Sequence, residues 1–190
     1  MAENLRKLVH AAALLVPLLA ELTSTTVVLS ALGLVTGLYV LEEYLRLKGK
    51  RLPLITSFTL KMSTPNEKTQ FISRPAYLAL GVILALLIFP KHLAYASIAI
   101  VAVGDPVAAY VGERFGHWRI GHKSLEGFAA GLGAAFLATM FLFSPVVSFV
   151  GSTVGMLFEL FAGIDDNLTM PLGAGAAMTL MSILWPQIAI

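Results

Sequence analysis

The chain has 190 residues, of which 57% are hydrophobic and only 13% are charged. Because soluble domains carry roughly 25% charged residues, this composition excludes an ordinary soluble protein and predicts an integral membrane protein. The net charge of +2 does not indicate a nucleic-acid partner, since the basic residues are distributed as topology signals. The lack of cysteine excludes disulfides, thiolate catalysis and a cysteine-based zinc site.

Apolar runs predict an all-α, polytopic membrane helix bundle of about seven transmembrane helices, in a single domain that covers 1–190. A spanning helix needs about 20 residues, and the runs cover approximately 5–21, 24–45, 76–89, 93–111, 125–143, 146–163 and 170–189. The third run is short for a hydrocarbon core about 30 Å thick. Pro90, which follows that run, either ends the helix or kinks it.

The basic residues predict the orientation of these helices. Lys and Arg are enriched in cytoplasmic segments, and a cytoplasmic N-terminus leaves only Lys91 of the 13 outside. The inside set then comprises Arg6 and Lys7, the polar, basic loop 46–75 and the segment 104–127. We expect loop 46–75 to favour anionic lipid headgroups.

Glycines spaced four residues apart predict close helix packing. Small residues at this spacing let membrane helices approach each other. The pairs are Gly112 and Gly116, Gly127 and Gly131, and Gly151 and Gly155.

Asp105 lies between Gly104 and Pro106, near the cytoplasmic end of the fourth predicted helix. Pro106 frees a carbonyl about one turn earlier, and a broken membrane helix is tolerated mainly where it lines a cavity or packs on protein. Since Mg²⁺ favours one or two carboxylates together with substrate phosphates, Asp105 is a candidate Mg²⁺ ligand. The alternative is a structural ion pair with Arg114 or Lys123.

Lys123 and Ser124 directly precede the fifth predicted helix. Ser124 suits the N-cap position, where free N–H groups and the helix dipole attract phosphate, and Lys123 adds a positive charge. Arg119 and His122 make the same segment more basic. Glu126, in the first turn, either complements the dipole or assists a metal; Lys123 alone is also explained by snorkelling.

A second polar cluster, Asp165-Asp166-Asn167-Leu168-Thr169-Met170-Pro171, precedes the last predicted helix. Pro171 fits a first helical turn with Thr169 or Asn167 as its cap, and acids there favour the helix dipole in any protein. Two adjacent carboxylates exceed what a cap requires. Asp165 and Asp166 are therefore candidates for metal binding or for hydroxyl activation.

His10 stands alone one turn inside the first predicted helix, after Arg6 and Lys7. A hydrogen bond to a neighbouring helix is the simplest role for it. Together, the carboxylates and the basic, glycine-rich segment predict phosphoryl chemistry between a soluble nucleotide and a membrane lipid, which depends mainly on positioning and charge neutralisation.

These motifs, in this order, resemble the polytopic polyprenol kinase family, which includes dolichol kinase, phytol kinase and CTP-dependent diacylglycerol kinase. The resemblance covers most of the chain and rests on Arg6-Lys7-x-x-His10, Gly104-Asp105-x-x-Ala108 with Gly112 and Gly116, His122-Lys123-Ser124-x-Glu126-Gly127, and Asp165-Asp166-Asn167-Leu168-x-x-Pro171. The chain is short beside eukaryotic members and resembles a minimal prokaryotic or archaeal core.

The resemblance implies a Mg²⁺-assisted transfer of the γ-phosphoryl group of CTP to the hydroxyl of an isoprenoid or other lipid alcohol at the cytoplasmic face of the bilayer. It implies that Asp105 and the Lys123 segment hold the metal and phosphates, and that Asp165 or Asp166 completes this site or acts as base. The nucleotide-binding set is then Gly104, Gly112, Arg114, Gly116, Arg119, His122, Lys123, Ser124 and Glu126, with Arg74 and His10. The sequence is compatible with a homodimer.

Two alternatives stay open. Phosphatidate cytidylyltransferases share a similar Gly-Asp and Lys-Ser/Thr-x-Glu-Gly segment, but their C-terminal Gly-His-Gly-Gly and Asp-Arg-x-Asp patterns are absent from GIDDNLTMPLGAGAAM here. A non-enzymatic transporter would place ionisable groups near the bilayer midplane, whereas these lie toward one face.

Overall fold

The computed structural model describes residues 8–50, 53–62, 70–161, 163 and 165–188. Within these ranges the chain is helical except for one short hairpin. Arg6, Lys7, Arg51 and Lys68, which carry part of the predicted topology signal, lie outside the described residues.

The helices follow one another with short connections. The N-terminal segment 8–22 is helical with a tight turn at Ala13 and Leu14, and its second part is α1 (Leu15–Leu22). The elements that follow are α2 (Thr25–Leu47), α3 (Pro53–Met62), α4 (Arg74–Ile88), α5 (Lys91–Phe115), β1 (Arg119–Ile120), β2 (Lys123–Ser124), α6 (Leu125–Thr139), α7 (Pro145–Phe161), α8 (Asp166–Leu184) and a 3₁₀ turn (Pro186–Ile188).

Three of the apolar helices, α2, α5 and α8, are long and apolar enough to cross a membrane. Apolar helices also occupy the other four predicted positions, but the segment 8–22 and helices α4, α6 and α7 are shorter. Helices α4 and α6 have 15 residues each, which at about 1.5 Å per residue fall short of a hydrocarbon core of about 30 Å. The described chain is thus all-helical with three candidate membrane spans by length and composition.

Helix α5 is the centre of the bundle. It packs against α4, α6, α7 and α8, and Ile98, Ile100 and Val101 on it are fully buried. Met156 of α7 and Met170 of α8 fill the same core. Every helix that surrounds α5 is therefore held at a fixed distance from it.

Two prolines behave differently around α5. Pro90 is its N-cap and ends α4 at Ile88, so it separates two helices and does not kink one. The break that we expected at Pro106 does not occur, because α5 continues through it to Phe115. Tight packing along this helix holds the residues on both sides of Pro106 helical.

The α5–α6 contact depends on glycine. A Cβ on Gly131 would lie 2.8 Å from the Gly104 carbonyl oxygen and 2.8 Å from Ala108 Cβ, and one on Gly127 would lie 2.6 Å from the Ala108 carbonyl oxygen. Real Cβ atoms do not approach other atoms so closely, so the two backbones touch where the glycines are. The spacing of Gly127 and Gly131 thus marks a helix contact, as expected.

The region 46–75 contains a helix and is not only a polar loop. Helix α3 packs on α2, where Thr56 donates a hydrogen bond to the fully buried Glu42. Glu43, also fully buried, accepts two hydrogen bonds of 2.8 Å from Arg46 and one of 2.8 Å from the Ile72 backbone N–H. The positive charge of Arg46, at the start of this region, is therefore neutralised by Glu43 of the same helix.

Replacing Gly131 with alanine tests the α5–α6 contact. We expect Gly131→Ala to lower the free energy of unfolding by roughly 1–3 kcal/mol, the usual cost of inserting a methyl group into a packed core. Gly133→Ala is the matched control in the same helix, because a Cβ there would meet no described atom within 4 Å. Thermal unfolding in detergent checks this, and equal midpoints for the two variants would contradict the contact.

Candidate functional site

A polar cavity of about 670 Å³ opens where seven parts of the chain meet. We call it the polar cavity. The segment 8–22, α4, α5, the hairpin, α7 and α8 each contribute at least one polar side chain to its wall. These side chains include His10, Arg74, Asp105, Lys123, Glu159 and Asp166.

A single ammonium group lies among three carboxylates at the centre of this cavity. Lys123 Nζ donates hydrogen bonds to Asp166 Oδ2 at 2.8 Å and to Glu159 Oε1, and it lies 3.9 Å from Asp105 Oδ1. One oxygen from each carboxylate lies within 4.8 Å of the others. We call Asp105, Glu159 and Asp166 the carboxylate cluster.

The cluster changes the proton affinity of its lysine. Burial lowers the pKa of Lys123, but the negative charges of Asp166, Asp105 and Glu159 outweigh burial and raise this pKa above its ordinary value. Lys123 is therefore a cation at neutral pH. If the three acids are ionised, one cation leaves an excess of two negative charges in the cluster, which a divalent cation would balance.

The hairpin positions Lys123. Strands β1 and β2 pair antiparallel with Ile120 opposite Lys123, and Gly121 in the turn has a φ of +59°, a conformation that glycine adopts without steric cost. Ser124 then caps α6 by accepting a hydrogen bond of 3.0 Å from the Gly127 N–H. The predicted N-cap is confirmed, and it fixes the point where the hairpin becomes a helix.

Gly112 and Gly116 let the hairpin lie against the end of α5. A Cβ on Gly112 would be 2.9 Å from Ser124 Oγ, and one on Gly116 would be 2.7 Å from the same atom. Gly112 lines the polar cavity, whereas Gly116 is not part of its wall. Both glycines, which we predicted as nucleotide-binding, therefore bring the Lys123 strand close to Asp105.

Asp165 and Asp166 have different positions although they are adjacent. Asp166 joins the carboxylate cluster, whereas Asp165 is the N-cap of α8 and accepts hydrogen bonds from the Asn167 N–H at 3.1 Å and from Asn167 Nδ2 at 2.7 Å. The expectation that Thr169 or Asn167 caps this helix is wrong, because the helix begins at Asp166. Asp165 still lines the polar cavity.

His10 connects the first helical segment to the cluster. Its Nε2 atom donates a hydrogen bond to Asn167 Oδ1 and lies 3.3 Å from Asp105 Oδ2. The predicted hydrogen bond to a neighbouring helix is therefore present. It also places an imidazole beside one carboxylate of the cluster.

The other predicted residues divide into two groups. Arg74, Arg119, His122 and Ser124 line the polar cavity with Lys123, so basic groups surround the carboxylate cluster.

Gly104, Arg114 and Glu126 are not among the residues that line the cavity. Gly104 packs against α6 and α7, and Arg114 donates to the Tyr110 hydroxyl. Glu126 accepts hydrogen bonds from the backbone N–H groups of His117 at 2.9 Å and Trp118 at 3.1 Å. Glu126 thus stabilises the start of the hairpin and does not line the cavity.

Sequence reasoning missed Glu159, which completes the carboxylate cluster. Its side chain is only 2% exposed, and it is the single acid within the apolar run 146–163. Ionisable residues inside apolar helices are rare and are usually functional. The rarity of an acid in such a run is the sequence signal that could have identified Glu159 as a site residue.

Comparison with known proteins adds a relative without an assigned activity. No family model matches the sequence. The chain is 25% identical over 183 residues to an uncharacterized protein of Rickettsia prowazekii (strain Madrid E), RP860, and the match covers 90% of each chain. No solved structure matches. The similarity extends over nearly the whole chain, and it assigns no function.

Replacing Lys123 with methionine tests the central ion pairs. We expect Lys123→Met to cost about 3 kcal/mol of unfolding free energy, since it leaves mutually repelling, largely buried carboxylates without their cation. Lys91→Met is the control: Lys91 forms a 2.9 Å ion pair with Glu21 in which both side chains are more than half exposed, and solvent screens such pairs so that they contribute little to stability. Thermal unfolding of both variants checks this, and similar small losses would show that the cluster is not central to stability.

Proposed function

We propose that the protein is a membrane kinase that transfers the γ-phosphoryl group of CTP to the hydroxyl of a polyprenol-type or similar lipid alcohol. The carboxylate cluster around Lys123, in a cavity with basic walls, is the observation that carries this proposal. The same residues belong to the motifs that resemble the polyprenol kinases. A cavity with both acids and bases suits a metal–triphosphate complex, because each charge type has a partner.

The residues fit a Mg²⁺ ion. Mg²⁺ prefers carboxylate and phosphate oxygens and keeps several waters, and the three carboxylate oxygens of the cluster are close enough to one another to share one cation. Asp105 and Asp166 are partly exposed, with 16% and 25% of their side chains accessible, and Glu159 is buried at 2%. When held by these carboxylates, Mg²⁺ would neutralise the negative charge that develops on the phosphate oxygens during transfer.

Basic residues of the cavity supply the contacts to the triphosphate. Lys123 lies at its centre, and Arg74 and Arg119 line its wall. Arg is suited to bidentate contacts with phosphate, and Lys acts as a point charge. In this proposal Lys123 exchanges a carboxylate contact for a phosphate oxygen when the metal and nucleotide enter.

The chemical step is a direct displacement. The lipid hydroxyl oxygen forms a bond to the γ-phosphorus, the bond between that phosphorus and the β,γ-bridging oxygen breaks, and CDP leaves. The hydroxyl proton passes to a carboxylate, Asp105 or Asp166. His10 Nε2, 3.3 Å from Asp105 Oδ2, orients the Asp105 carboxylate.

The proposed topology has seven spans with the polar cavity on the cytoplasmic side, where CTP is available. Its support is the position of the ionisable side chains in the bundle. His10, Arg74, Asp105, Lys123, Glu159 and Asp166 all meet at one end of the bundle, whereas Glu21 and Lys91 pair elsewhere. Most of these groups lie near helix ends, which suits chemistry at a membrane surface, whereas a transporter would place them near the midplane. Asp105 lies deeper, ten residues before the end of α5.

A labelling assay tests the reaction. Purified protein with Mg²⁺, γ-labelled CTP and a polyprenol is expected to yield labelled polyprenyl phosphate. We expect Asp105→Asn and Lys123→Ala to reduce this rate at least about 100-fold, since each removes a charge aimed at the transferred group. Glu21→Gln and Lys91→Ala are matched controls and should keep the wild-type rate.

Two results would overturn the proposal. Label recovered from α-labelled CTP as a CDP-lipid would indicate a cytidylyltransferase instead. Wild-type rates in both Asp105→Asn and Lys123→Ala, with unfolding midpoints that show folded protein, would remove the carboxylate cluster from the reaction.

A further inference from the structure

A second cavity, of about 600 Å³, is lined in part by Val9 and Pro75, the chain neighbours of His10 and Arg74. We call it the apolar cavity. Its walls are the segment 8–22, α2, α3 and α4, with side chains that include Val16, Leu32, Thr59, Leu78 and Val82. Its volume is within the range of roughly 300–1,000 Å³ that is typical of small-molecule sites.

The chemistry of the apolar cavity favours a hydrocarbon occupant. Among the described residues that line it there is no Asp, Glu, Lys, Arg or His, and the polar side chains are Thr36, Tyr39 and Thr59. Tyr39 donates its hydroxyl to the Ile72 carbonyl at 2.6 Å, so that polar group is already satisfied. A charged or strongly polar ligand would find no partner of opposite charge on this wall.

The apolar cavity and the polar cavity share two walls. On the first helical segment, His10 lines the polar cavity and its neighbour Val9 lines the apolar cavity. On α4, Arg74 lines the polar cavity and Pro75 lines the apolar cavity. The two cavities therefore lie on adjacent faces of the same two elements, one ionisable and one aliphatic, as a ligand with a polar head and an apolar tail would need.

The rim of the apolar cavity is exposed on the lipid-facing side of α2. Val35 is 64% exposed and Leu38 is 45% exposed, and both line the cavity. The opposite wall is closed, because Thr59 of α3 is only 1% exposed. A lipid tail therefore has a lateral entrance and a closed wall against which to pack.

We infer that the apolar cavity binds the hydrocarbon tail of the phosphoryl acceptor, with the acceptor hydroxyl at the His10–Asp105 side of the polar cavity. This inference rests on the proposed function. It assigns the apolar walls of the segment 8–22 and of α2–α4 to recognition of the lipid tail, whereas His10 and Arg74 on two of these elements stay with the polar cavity. Binding depends on shape and van der Waals packing, because a tail that moves from lipid to an apolar wall gains no hydrophobic driving force.

Cavity-filling variants test the inference. Ala79, on the cavity wall, is changed to Phe, and Ala129→Phe, at an exposed position of α6 outside the cavity, is the matched control. We expect Ala79→Phe to raise KM for geranylgeraniol at least about tenfold while KM for prenol, which has one isoprene unit, and KM for CTP are unchanged. Equal effects on the two alcohols, or equal effects of the two variants, would overturn the inference.

A second variant guards against misfolding. Val35 is on the exposed rim, so Val35→Trp narrows the entrance without inserting bulk into the core. It should reproduce the selective rise in KM for geranylgeraniol. Wild-type kinetics with geranylgeraniol in both Val35→Trp and Ala79→Phe would contradict a tail site here.

A photolabel separates this inference from the proposed reaction. Geranylgeraniol with a terminal diazirine should label peptides that contain residues 9–16 and 76–82, and excess geranylgeraniol, but not phosphatidylcholine, should compete. Labelling without phosphoryl transfer would refute the kinase and keep the tail site. Transfer without labelling of these peptides, or equal competition by phosphatidylcholine, would refute the tail site and keep the kinase.

Discussion

The contact between Lys123 and three carboxylates is the interaction on which the functional end of the bundle depends. Asp105, Glu159 and Asp166 come from three different helices, α5, α7 and α8, and Lys123 comes from the hairpin between α5 and α6. Buried charges are tolerated only when they are paired. Because Lys123 contacts a carboxylate from each of them, the cluster links α5, α7 and α8.

Close backbone packing makes this cluster geometrically attainable. Helices α5 and α6 touch at glycines, and Gly112 and Gly116 admit Ser124 within a distance that a larger residue would block. Ser124 is at once the cap of α6 and the neighbour of Lys123. The glycines thus act on the site indirectly, by setting the depth at which the lysine enters the cavity.

Much of this arrangement follows from the sequence, because its signals are local. Apolar runs located the apolar helices, and Ser124 before such a run identified a cap. Asp105, Lys123 and Asp166 were each recognisable as ionisable groups beside membrane-like helices, and the structure brings these three together. The number of membrane spans follows less directly from the sequence, since helices of 15 residues are too short for their length to establish that they cross a membrane.

The remaining features depend on register and tertiary packing. Whether Asp165 or Asp166 faces Lys123 depends on where α8 begins, and a shift of one residue turns a side chain by about 100° on a helix. Glu159 and Glu42 lie within apolar runs, so their partners are visible only in three dimensions. The sequence predicts a basic loop over the region that contains helix α3. This short helix is stabilised by packing on α2, which its own sequence does not reveal.

In the proposed kinase, the ionisable walls of the polar cavity bind the nucleotide and the metal, and the aliphatic walls of the apolar cavity bind the lipid. In the proposed reaction, the carboxylate cluster holds the metal that accompanies the nucleotide. A crystal structure with Mn²⁺ and a CTP analogue with a methylene β,γ-bridge tests it directly, through the anomalous signal of Mn²⁺. We predict Mn²⁺ bound by at least two of Asp105, Glu159 and Asp166, with the terminal phosphate beside Lys123. Mn²⁺ and nucleotide bound away from these residues would contradict the account.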